Sequence, residues 1–233
     1  MTNILAIESS GLVASVAYVN EEKMIAEFTL NLKLTHSETL LPLIDELVKR
    51  TGIDLKEISA IAVSNGPGSF TGLRIGAATA KGLGFALNCP IVPVPTTETI
   101  ASNIFAFDGN IVPLMDARRN QVYTGVYRNS GDGFETIYGQ MAVPIGDIID
   151  IVNRQNERVI FLGDGVSVFK DTLEKDVKVS HQYAPANNNV QRAGSLAVRA
   201  LALFKEGKWV KADDLTPEYL RLSQAERERN ENS

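Results

Sequence analysis

The chain has 233 residues, 44% of them hydrophobic and 22% charged, with a formal net charge of -5 and an isoelectric point near 5.2. That acidity argues against nucleic acid as the main ligand of the chain alone, because phosphate contacts draw on a basic surface. The single cysteine, Cys89, excludes an internal disulfide, and no apolar run reaches the length of a membrane span. With no signal peptide ahead of the first strand, the expected location is cytoplasmic, and Cys89 is expected to be buried and inert.

Residues 3–7 (NILAI) predict a strand, Glu8-Ser9-Ser10-Gly11 a turn, 12–19 a second strand and 24–32 a third, which makes an antiparallel meander. A helix follows from Thr35-His36-Ser37-Glu38, a capping-box pattern, to Gly52. Its Leu40, Leu41, Leu43, Ile44, Leu47 and Val48 share one broad arc, and Pro42 is expected to kink it.

The stretch 58–87 organises the rest. Residues 58–64 read as a buried strand, Asn65-Gly66-Pro67-Gly68 as a turn, and Ser69 or Thr71 as the cap of a second helix. That helix carries Gly72, Gly76, Ala80 and Gly84 at four-residue steps, hence on one face. Each helical glycine costs about 1 kcal/mol relative to alanine, so the stripe implies a closely approaching backbone. The neighbour is this chain, a nucleotide or a second protein. A phosphate cradle is the weaker option, because G-P-G-S-F-T-G-L matches neither a Walker loop nor G-x-G-x-x-G.

A strand at 89–94 and a helix at 96–107 complete a β-β-β-α-β-α-β-α order. The second half repeats it, with strands at 111–115, 121–128 and 134–143 and a helix from Pro144 to 153. A strand at 158–162 ends in Gly163-Asp164-Gly165, and a short helix at 166–173, a strand at 177–183 and a long apolar helix at 192–205 follow. Arg118-Arg119 is expected to be a solvated turn, and the tail from Gln224 a fraying helix end or disorder.

Two such units in tandem resemble the actin, sugar kinase and Hsp70 (ASKHA, ribonuclease H-like) superfold. The expected class is α/β, with domains at 1–107 and 108–233. Each has a mixed five-stranded sheet with flanking helices, and the last helix is a candidate to pack back on the first domain. NILAIESS, THSETLLPLI, SNGPGSFTGLRIGAATAKGL followed by PIVPVPT, and LTPEYLR (residues 215–221) resemble the bacterial TsaB (YeaZ) family. The resemblance implies a partner of TsaD, working with the ATPase TsaE. The complex makes N6-threonylcarbamoyladenosine at position 37 of tRNAs that read codons starting with A.

The resemblance also implies what is missing. TsaD-type proteins carry two histidines one helical turn apart, where this chain has Thr96 and Ile100. The chain's two histidines, His36 and His181, lie in different halves. No catalytic residue and no metal ligand is expected. In the superfold the two meander turns face a nucleotide cleft, which makes Glu8, Ser9, Ser10 and Asp116 a candidate remnant site. The superfold's glycine-threonine turn is lacking, so no cofactor is expected to bind tightly to this chain, and ATP or ADP belongs to the complex.

The expected interface comprises Leu40, Leu41, Ile44, Leu47, Val48, Gly72, Leu73, Gly76, Ala77 and Ala80. It serves TsaD or, in isolation, a homodimer, and tRNA is met only through the complex. The alternatives are a metal-dependent peptidase or small-molecule kinase, and a self-associating structural protein.

Overall fold

The computed structural model describes residues 1–32, 34–131 and 133–221. The first sheet is built from β1 (Asn3–Glu8), β2 (Ala14–Asn20), β3 (Met24–Leu30), β4 (Ala60–Gly66) and β5 (Ile91–Pro95), in the order β3-β2-β1-β4-β5. The meander is antiparallel, while β1–β4 and β4–β5 are parallel. The second sheet repeats that plan with β6 (Phe107–Asp116), β7 (Gln121–Asn129), β8 (Phe134–Pro144), β9 (Val159–Leu162) and β10 (His181–Tyr183), in the order β10-β9-β6-β7-β8. The fold is therefore α/β, two five-stranded mixed sheets with flanking helices of the ASKHA type, as the repeated element order predicts.

Helices α1 (His36–Thr51) and α2 (Phe70–Leu87) cover one face of the first sheet. Leu5, Ile7, Val16 and Val63 point to them, and the alternate residues Ile4, Ala6, Ala17 and Ala62 point the other way. The second face is closed by α6 (Ala193–Lys205), which comes from the far end of the chain. Alanines dominate both sides of that contact, Ala6, Ala17, Ala60 and Ala62 against Ala193, Ala197 and Ala200, so helix and sheet approach closely.

The second sheet is covered by α4 (Ile145–Gln155) and α5 (Gly165–Asp176) on one face. Its other face receives α3 (Thr96–Ala101), a helix from the first half, through Ile100 and Ala101. Each half of the sequence thus lends a helix to the other half's sheet. The nearly buried ion pair Arg199–Glu98, at 2.7 Å, joins the two exchanged helices.

Several local expectations change. Helix α3 stops at Ala101, not near Phe107, because Phe107 already begins β6. The capping box is not formed as predicted: Thr35 makes no side-chain bond to the backbone and instead donates from Oγ1 to Glu38 Oε2 at 2.6 Å. The polar tail from Gln224 lies outside the described residues.

Candidate functional site: the interlobe cleft and the α1–α2 face

The turn after β1 is a buried knot. Glu8 is fully buried, and its Oε1 accepts from Ser10 N at 2.7 Å and Ser10 Oγ at 2.5 Å, while Oε2 meets Ser64 Oγ. Burial pushes the Glu8 carboxyl above its ordinary range, against the pull of those hydrogen bonds. Ser9 Oγ donates to the Gly72 carbonyl at 2.9 Å, and Ser69 N donates to the Ser10 carbonyl at 2.7 Å. His36, at the start of α1, bonds the Gly11 carbonyl through Nε2 at 2.9 Å.

This knot identifies the neighbour of the glycine stripe. A Cβ on Gly72 would lie 2.1 Å from the Ser9 carbonyl oxygen, and one on Gly76 would lie 2.3 Å from Ser9 Oγ. The close backbone belongs to this chain. Ser69 is the cap of α2, accepting from Gly72 N at 3.3 Å.

The expected interface set divides accordingly. Leu40, Ile44, Leu47, Leu73, Ala77 and Ala80 are buried in this chain's own core, and Gly72 and Gly76 lie against Ser9. These eight residues are therefore buried within the chain and not on its surface. The reason is the width of the apolar arc, which the first sheet takes up almost entirely. Leu41 is 58% exposed and Val48 half-buried. Ala78, Gly82 and Phe85 of α2 are also exposed, and the glycine pattern gave no hint of them.

Between the two lobes lies a cavity of about 520 Å3. Ser10, Gly11 and Phe70 line it from the first lobe, Asp116, Arg118 and Asp164 from the second, together with residues 218–221. Of the candidate cleft residues, Ser10 and Asp116 both line this cavity, whereas Glu8 and Ser9 are turned into the knot. Asp164, missed in the sequence, accepts from Asp116 N at 3.3 Å. Burial raises its carboxyl pKa, and the neighbouring Asp116 charge adds to the shift. The only hint of it was the Gly163-Asp164-Gly165 strand end.

Arg118 pairs with Asp116 at 3.1 Å, and Arg118, Arg119 and Asn120 all take left-handed backbone, with φ of 63°, 54° and 60°. The arginine pair is a turn exposed to solvent, as expected, and its left-handed backbone adds local strain.

A nucleotide with its metal, as the superfold implies, does not fit these residues well. The acid expected to face the metal, Glu8, is tied to Ser10 and Ser64, and Asp116 is engaged by Arg118. Residues 218–221 form part of the wall of the cavity.

Thr96 and Ile100 of α3 are both fully buried, Ile100 in the core beneath the second sheet. Among the described residues no group of three His, Cys, Asp or Glu side chains is arranged to hold a metal ion. His36 serves the β1 turn, and His181 lies 3.5 Å from Glu174 at the outer edge of the second sheet. Cys89 is half-buried, with its thiol pKa raised by burial. No helix among the described residues is long and apolar enough to cross a membrane.

Known proteins share this design. A family model described as TsaD, tRNA N6-adenosine threonylcarbamoyltransferase, matches residues 23–229. The tRNA threonylcarbamoyladenosine biosynthesis protein TsaB of Bacillus subtilis (strain 168) is 35% identical, with 96% of each chain covered. TsaB of Escherichia coli (strain K12) is 29% identical, with 94% of each covered. The solved structure of YeaZ from Pseudomonas aeruginosa superposes with a TM-score of 0.77 at 24% identity, covering 94% of this chain and all (100%) of that one. The ethanolamine utilization protein EutJ from Carboxydothermus hydrogenoformans shares the fold at a TM-score of 0.52 and 11% identity, covering 85% of this chain and 90% of that one. With a relative matched over nearly the whole of both sequences, this chain belongs to the TsaB (YeaZ) family.

Proposed function

We propose that this member of a family of tRNA threonylcarbamoyladenosine biosynthesis proteins is a non-catalytic activating subunit. It binds a TsaD-type subunit, with a TsaE-type ATPase in the same complex. The product is N6-threonylcarbamoyladenosine at position 37 of tRNAs that read codons starting with A. The single observation that carries the non-catalytic role is the pair Thr96 and Ile100. A buried threonine and a core isoleucine stand where the resemblance places two imidazoles, and an isoleucine has no atom with which to ligate a metal. The knotted Glu8 adds support, since a carboxylate held by Ser10 and Ser64 is not presented to a cleft metal.

The contact surface is the outward side of α1 and α2, centred on Leu41 and the exposed face of Ala78, Gly82 and Phe85. The same surface serves a homodimer when the chain is alone. ATP or ADP is bound at the level of the complex, mainly by the partner, and tRNA reaches this chain only through it. The setting is the cytoplasm. By preferring the partner's competent conformation, the chain raises that state's population without donating any chemistry. The test is co-elution of the purified chain with a TsaD-type subunit on size exclusion. Leu41→Glu is expected to abolish co-elution while leaving the melting temperature almost unchanged. Intact co-elution of that variant and of Phe85→Glu rules this surface out.

A further inference from the structure

We propose that residues 216–221 form a built-in strap that occupies the interlobe cleft and fixes the spacing of the two lobes. A bound ligand does this in two-lobed proteins that close on their substrates.

The strap is anchored in the first lobe. Val210 and Ile91 exchange backbone hydrogen bonds at 2.8 and 2.9 Å, and Leu215 is buried in the α1–α2 core. Glu218 N then donates to the Asn65 carbonyl at 2.7 Å, next to Gly66. A Cβ on Gly66 would stand 2.1 Å from the Glu218 carbonyl oxygen, so that glycine is what lets the strap lie so close. Tyr219 packs on Phe70 with ring centres 4.8 Å apart, and Arg74 Nε donates to its hydroxyl at 3.3 Å.

The same few residues reach the second lobe. Gln140 Nε2 of β8 donates to Glu218 Oε2 at 2.7 Å, and Arg221 Nη1 donates to the Ala117 carbonyl in the β6–β7 turn. Residues 218–221 are at the same time cavity wall. One segment therefore holds both jaws and fills part of the gap between them. A ligand that bridged the lobes from within the cavity would do the same from the same place. This inference does not depend on the identity of any partner.

The test is a distance measurement between spin labels by double electron–electron resonance. Labels go on Lys23→Cys of the β2–β3 turn and Val168→Cys of α5, both exposed and outside the proposed contact surface, in a Cys89→Ser background, with labelled chain diluted into unlabelled chain so that only distances within one chain are read. The otherwise unaltered chain is expected to give one narrow distribution. Glu218→Ala with Arg221→Ala, which removes both side-chain ties to the second lobe, is expected to broaden it or shift it to longer distance. Glu218→Gln with Arg221→Lys, which keeps an acceptor and a donor, is expected to restore it. Circular dichroism melts establish that each variant is folded. An unchanged distribution in the alanine pair overturns the proposal. So does a broadening that the conservative pair fails to reverse, because the effect then comes from something other than these bonds.

Discussion

The carbonyl oxygen of Ser9 sits where a side chain on Gly72 would begin, 2.1 Å from the place of a Cβ. Ser9 Oγ in turn donates to the Gly72 carbonyl at 2.9 Å. Gly72→Ala therefore forces backbone apart. Overpacking of this kind costs about 1–3 kcal/mol against a helix gain of up to about 1 kcal/mol, so a net loss of about 1 kcal/mol is expected. Gly82, on the same helix, has nothing within 4 Å of its missing Cβ. Gly82→Ala is expected to stabilise by up to about 1 kcal/mol. Urea melts of the two variants separate a packing glycine from an idle one.

Ile44 and Leu41 sit on the same helix with opposite fates, 6% and 58% exposed. Ile44→Glu places an unpaired charge in the core of the first sheet. A loss of several kcal/mol, enough to unfold the domain, is expected. Leu41→Glu is expected to change stability by less than about 0.5 kcal/mol. Thermal melts of both variants check this before either is used as a probe of binding.

The knot predicts a pH dependence. The folded state holds the Glu8 proton more tightly than the unfolded chain does, so its contribution is full below the ordinary carboxyl value near 4.5. That contribution declines as pH rises through the elevated Glu8 value. Glu8→Gln offers an amide in place of the protonated acid. It is expected to be more stable relative to the parent at pH 8 than at pH 4. Chemical melts across that range measure the difference, and a constant gap between the two proteins contradicts the assignment.

Arg199 and Glu98, 12% and 14% exposed, join α6 to α3, and Arg199 also lies over the Phe134 ring at 4.7 Å. Arg199→Ala leaves a carboxylate nearly buried without its partner and is expected to cost about 3 kcal/mol. Arg199→Met combined with Glu98→Met is expected to recover much of that loss, as apolar replacements of buried ion pairs often do. Denaturant melts of the single and double variants decide it.

The element order was legible because hydrophobic alternation and turn residues mark each strand, from NILAI to the Gly163-Asp164-Gly165 end of β9. What the sequence left open depends on contacts between distant segments. Nothing local says that Gly72 faces Ser9, sixty-odd residues away, instead of a second molecule, so a core stripe resembled an interface. Helix α3 looked longer because residues 102–106 lack a strong stop signal. The cleft role of LTPEYLR was hidden for the same reason: its Glu218 and Arg221 gain meaning only through Gln140 and Ala117. The reading of Thr96 and Ile100 rests on the resemblance, with no local signal of its own, and the structure adds that both are buried.

The most direct measurement is nucleoside analysis of tRNA after incubation with ATP, threonylcarbamoyl-adenylate and each protein alone or combined. The chain alone is expected to leave tRNA unmodified, the TsaD-type and TsaE-type subunits together to give little product, and addition of this chain to restore modification at position 37. Product formed by the isolated chain, or full product in its absence, contradicts the account.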